Sequence, residues 1–180
     1  MAYSFTENRV GLPAVGNIDA GFTPPNSSTA IPTPPATLGM ICRAFDPTYG
    51  EGEFILLPGV ASLTVGNTVT YSPTTYATAL SPNTAALAQP VAVAMAANTS
   101  ATTFSWFQIG GLAVVKKTAV KVTPGPSKMY QSATTGRLMQ TSASGKAILG
   151  CAAANLATVT STTSTVVISI NRPHFQGPIT

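Results

Sequence analysis

Five carboxylates (Glu7, Asp19, Asp46, Glu51 and Glu53), one histidine (His174) and two cysteines (Cys42 and Cys151) are the side chains from which this 180-residue sequence would have to build acid-base, metal or thiol chemistry. All five carboxylates fall within the first 53 residues, so Phe54 to Thr180 contains neither Asp nor Glu. Paired-carboxylate catalysis needs two such groups held at one reacting bond. A nucleophilic triad would have to use His174, which stands beside Pro173 near the end of the sequence, where a surface or packing role is the ordinary one. One histidine, two distant cysteines and few carboxylates do not make three or four metal ligands. Cys42 and Cys151, 109 positions apart, have neither a metal-ligand spacing nor the density of a disulfide-stapled module, and read as two buried thiols, not a bridge. The nearest approach to a phosphate loop, SASGKA at 142–147, has Ala147 where a hydroxyl is needed and Gln140 where the first glycine belongs. No nucleophile elbow or dinucleotide fingerprint occurs. The expectation is a protein with no catalytic residue, no cofactor and no metal, and not an enzyme.

The elements that would position a different kind of site are short strands. Only 8% of residues are charged, against roughly 25% in an average soluble protein, while 44% are apolar, enough for a sizeable core. The charge is uneven: residues 1–53 carry net −3 and the remainder net +7, a balance that suits an anionic partner or solubility by self-repulsion. Residues 1–40 hold Pro24, Pro25, Pro32, Pro34 and Pro35, which exclude a helix or central strand. They also hold Tyr3, Phe5, Val10, Leu12, Val15, Ile18, Phe22 and Ile31, too apolar for an ordinary linker, so an extended arm ordered against the body or a neighbouring subunit is expected.

From residue 41 onward, strand-length runs recur between turn residues: 53–57, 61–65 and 68–72 (a hairpin about Gly66-Asn67), 90–96, 103–109, 112–117, 119–123, 128–131, 137–140, 146–150 and 165–170. A single helical turn is expected at 83–89. In the last run Val166, Ile168 and Ile170 share one face and Val167, Ser169 and Asn171 the other. The expected fold is all-β, a compact antiparallel β-barrel or sandwich over 41–180 with a proline-rich N-terminal arm over 1–40. No apolar run approaches the roughly 18 residues of a membrane span, and no secretory leader is expected at the N-terminus.

Lys116, Lys117, Lys121, Lys128 and Lys146 beside Phe104, Trp106 and Phe107 admit a nucleic-acid-binding barrel, but seven basic residues over 127 are sparse and no nucleic-acid motif occurs. Residues 104–170 carry a different succession: Trp106, Gln108, Ile109, Gly111 and Ala113, then Pro124-Gly125, then Gly136-Arg137, then Gly145 through Gly150, then a Thr/Ser-rich closing strand. With GEFILLPGVASLTVGNTVTY at 52–71, this resembles the head decoration, or cement, proteins of tailed bacteriophages. The resemblance implies a small β-rich protein, commonly a trimer, on the capsid exterior at junctions between capsomers. Its partners would be the major capsid protein lattice and its own copies, and it would assemble in the host cytoplasm. A virion fibre base or host-binding adhesin domain is the alternative. The residues expected to meet a partner are Tyr3, Phe5, Arg9, Phe22, Pro24 and Pro25 in the arm, Glu51 and Glu53, which could pair with basic residues of a neighbour, and one of Trp106 and Phe107, which face opposite ways on a strand.

Overall fold

Short runs of β-branched and aromatic residues, cut by glycine and proline, pair into twelve antiparallel strands in a computed structural model that describes residues 2–6, 11–22, 24, 25, 28, 29 and 31–178. The strands are β1 (Ser4–Phe5), β2 (Ile18–Asp19), β3 (Ile41–Asp46), β4 (Gly50–Pro58), β5 (Thr68–Tyr71), β6 (Thr78–Leu80), β7 (Val91–Ala94), β8 (Phe104–Lys116), β9 (Lys128–Gln131), β10 (Leu138–Met139), β11 (Ala147–Ala153) and β12 (Thr165–Phe175). The protein is all-β, with no helix among the described residues. The sheet runs β1-β3-β4-β8-β12-β11-β9-β10; β2 and β7 also pair with β8, and β5 lies between β7 and β6.

β8 is the hub. Its first half sends Phe104 and Trp106 into a cluster with Phe54, Leu56, Cys42 and Ala44, and Phe107 and Ile109 into another with Ile55, Leu57, Val69 and Ala92. Its second half sends Ala113 and Val115 into a third cluster, against Val166, Ile168, Ile170 and Phe175. The change of face follows a bulge, since Glu53 pairs with Gly110 but Phe54 with Gln108, leaving Ile109 as the extra residue. Gly111 makes this possible: its φ is +91°, and a Cβ there would lie 2.4 Å from the Glu51 carbonyl oxygen.

Several expectations change. Segments 103–109 and 112–117 are one thirteen-residue strand, because the bulge at Ile109, just before Gly110-Gly111, bends the ladder without ending it. The 61–65 segment is a turn with Ser62 at φ +65°, so no hairpin forms about Gly66-Asn67; β5 pairs with β6 and β7 instead. At 83–89 Ala86 and Ala88 adopt φ of +58° and +53°, which a helix excludes. In 119–123 only Val122 pairs, in a single bridge to Val159. Cys42 and Cys151 are buried in different clusters and are not bridged.

The N-terminal residues are built into the first cluster. β1 pairs with β3, and β2 pairs with Phe104 and Ser105 of β8. Tyr3 and Val15 are buried, with Phe5, Leu12, Ala36 and Leu38 packed alongside. Trp106 donates its indole N–H to the Pro13 carbonyl at 2.8 Å and meets Phe5 edge-to-face at 5.7 Å. Removing residues 1–19 should therefore uncover the sole tryptophan. Its emission is expected to shift to the red and the melting temperature to fall sharply, whereas unshifted emission would show that this segment is no part of the core. Trp106→Phe, which removes the donor to Pro13 and some volume, is expected to cost about 2 kcal/mol in denaturant unfolding.

Candidate functional site

The residues expected to meet a partner separate into two groups. Tyr3 and Phe5 point inward: Tyr3 stacks edge-on against Phe54 at 4.8 Å, and its hydroxyl donates to the Leu112 carbonyl at 3.0 Å. Burial holds the Tyr3 phenol above its ordinary pKa, against the lowering effect of the Gln108 amide that donates to it. Trp106 and Phe107 do face opposite ways, but both are fully buried, because β8 has a core on each side there. Phe22 is exposed and bridges to Ile31, also exposed; Pro25 is exposed and Pro24 half-buried. Arg9 lies outside the described residues. Glu51 and Glu53 meet arginines of their own chain, with Arg43 3.8 Å from Glu51 and 3.2 Å from Glu53, and Arg172 3.5 Å from Glu53. Such surface pairs contribute about 0–1 kcal/mol each.

The most extended candidate surface was not among those residues. On β8 and β12 the side chains opposite the third cluster point outward: Leu112, Val114 and Lys116, and Thr165, Val167 and Ser169. The register aligns them in rows. Lys116 lies opposite Thr165, and Val114 opposite Val167, whose carbonyl accepts from the Ala154 amide. Leu112, Ser169, Ala152 and Lys128 follow one another across β8, β12, β11 and β9. No family model, curated protein or solved structure matches this chain. The face must be read from its own chemistry.

A solvent-facing sheet surface normally carries polar and charged side chains. Here leucine, valine, alanine, serine and threonine, most of them half-buried, fill the rows bounded by two lysines. Three clefts adjoin the face, of about 460, 360 and 250 Å³. The largest lies between Pro124–Pro126 and Ala152–Leu156, and Leu156 on its rim is 99% exposed. The other two share Tyr49, Val114 and Thr165. Among the described residues no group of three or more His, Cys, Asp or Glu could hold a metal ion. Burial pushes the Cys151 thiol up to about 12, which suppresses its thiolate. The sequence signal for this surface was the second face of Val167, Ser169 and Asn171, which alternates with the core face but lacks the expected charge.

Two polar anchors hold the rim. The Asp46 carboxylate accepts from the Thr48 amide at 2.8 Å, the Tyr49 amide at 3.1 Å and the Ala2 amide, fixing the turn that presents Tyr49. Burial alone would raise the Asp46 pKa, but these three donors outweigh it and hold the carboxyl below the ordinary carboxylate value. A carboxyl depressed in the folded state stabilises the fold above its unfolded pKa, about 4, and loses that contribution as pH falls through the folded value. Asp46→Asn is therefore expected to lower the melting temperature at pH 7, with the gap from wild type closing below about pH 4. A gap constant from pH 7 to pH 2 would show that the charge contributes nothing.

The second anchor is Lys117, buried with its ammonium donating to the carbonyls of Val120 and Thr160, both at 2.8 Å, and Thr118 at 3.3 Å. Burial lowers its pKa. Lys117→Met would leave three carbonyls without this donor, so faster amide hydrogen exchange is expected in 118–123 and 155–164. Exchange unchanged in both segments would refute the anchoring role.

Proposed function

We propose that the chain is a non-enzymatic structural protein of a virion that binds the outer surface of a phage capsid lattice and stabilises it. On this reading the strands form a compact barrel or sandwich body, the proline-rich N-terminal residues are an arm folded back on it, and the protein acts as a homo-oligomer, a trimer. The observation that carries the proposal is the outward face of β8, β12 and β11, a sheet surface of small uncharged side chains bordered by three clefts. Interface cores are depleted in charge, and one modest contact repeated over a lattice becomes avid. The resemblance of residues 104–170 to decoration proteins supports the same reading. Of the arm, the exposed pair Phe22 and Ile31 is the part offered to a neighbour, while Tyr3 and Phe5 serve the fold.

The test is co-sedimentation with expanded, undecorated heads of the encoding phage, at low salt and at about 1 M, where the screening length is roughly 3 Å. Saturable binding at both salts is expected. Val167→Asp, which places a charge in the middle of the face, is expected to weaken it at least tenfold. Absence of wild-type binding at either salt would overturn the lattice reading.

A further inference from the structure

The outward face has a charge pattern as well as an apolar one. Lys116 aligns with Thr165 on β12, and Lys128 aligns through Ala152 with Ser169, four residues further along the same strand. Both lysines point outward, because Val115 and Met129 beside them belong to the core on the opposite side. Four residues along a strand and three steps between strands each span about 14 Å, which puts the lysines roughly 20 Å apart at opposite corners of the face. Between them lie Val114, Val167, Ser169, Ala152 and Ala154. Lys116 uses one of its three donors on the Thr64 hydroxyl, which holds the ammonium in place with two donors to spare. Lys128 is exposed.

We propose that this face binds an extended segment of a second, different protein in which small apolar side chains lie between two carboxylates roughly 20 Å apart. Charge complementarity selects this occupant. From Phe54 onward the chain has no carboxylate, and among the described residues neither lysine has an ion-pair partner. The described carboxylates elsewhere are already engaged: Glu51 and Glu53 with Arg43 and Arg172, Asp46 with three backbone amides, and Asp19 with the Gly21 amide at 2.7 Å. A second copy would have to break these contacts for any of its described carboxylates to supply the charge. A segment with its own acidic ends meets the lysines directly, and its apolar side chains meet the valines and the 460 Å³ cleft. The inference rests on the reading of the chain as a contact protein, and names the chemistry of the partner.

The experiment is a titration of the full chain with the capped synthetic peptide Glu-Ala-Val-Ala-Val-Ala-Glu, followed by methyl NMR. In extended form its two acids and two valines lie on one side, with the acids about 20 Å apart. Saturable shifts are expected at the methyls of Val114, Val167 and Leu156. Binding should weaken at least tenfold in the Lys116→Glu, Lys128→Glu double variant, and remain unchanged in Lys146→Glu, which alters a lysine bonded to Asn83 outside the face. Unshifted Trp106 emission and melting temperature in each variant secure the fold. Absence of shifts at about 1 mM peptide, or equal shifts with the same peptide ending in lysines, would overturn the inference. The same variants separate it from the lattice reading. Heads that bind wild type and the double variant alike would remove the acidic partner while leaving lattice binding intact; peptide binding without head binding would do the reverse.

Discussion

Everything in this fold depends on burying one strand twice. β8 is covered on both faces from Phe104 to Ile109 and on one face from Leu112 to Lys116. A strand can make that change only if its neighbours change, and the Gly110-Gly111 bulge is where β12 takes over from β4 as the principal partner. The positive φ of Gly111 and the Glu51 carbonyl against it leave no room for a side chain. The two cores before the bulge and the half-buried outward face after it thus arise from the same local feature.

A buried polar residue ties this feature to the N-terminus. Gln108 is fully buried, and its amide nitrogen lies within hydrogen-bonding distance of the Tyr3 hydroxyl, the Gly110 carbonyl and the Leu112 carbonyl. Buried polar groups are costly unless partnered, so the amide favours the arrangement in which Tyr3 and the bulge are both in place. The same logic applies at Trp106, whose indole N–H is satisfied by the Pro13 carbonyl. The described residues before β3 that carry Tyr3, Pro13 and Val15 are therefore part of the structure that shapes the body.

The scarcity of charge has a consistent physical reading. Charged residues are few, and the described carboxylates are placed where arginine or backbone donors meet them. The sheet face beyond the bulge receives almost none. Charged side chains normally protect such surfaces from unwanted association; over the rows of Val114, Val167 and Ala152 they are confined to the corners, at Lys116 and Lys128.

How much of this was legible without coordinates differs by scale. Period-2 alternation is local, so the core face of Val166, Ile168 and Ile170 was readable directly, whereas β8 was read as two strands because Gly110-Gly111 looks like punctuation. The near-absence of paired ionisable groups was readable as well, because composition limits chemistry whatever the fold. The turn at 61–65 and the left-handed Ala86 and Ala88 were not, since local preference there favoured a strand and a helical turn and tertiary pairing overrode both. Nor could alternation tell that both Trp106 and Phe107 would be buried: it assigns side chains to faces, but the covering of a face depends on strands distant in the chain. By itself the sequence determined an all-β protein, poor in charge, with its carboxylates confined to one end. Tertiary structure alone decided where a strand is covered on both faces, as β8 is at Trp106 and Phe107, because that depends on which distant segments pair, and no local pattern encodes it.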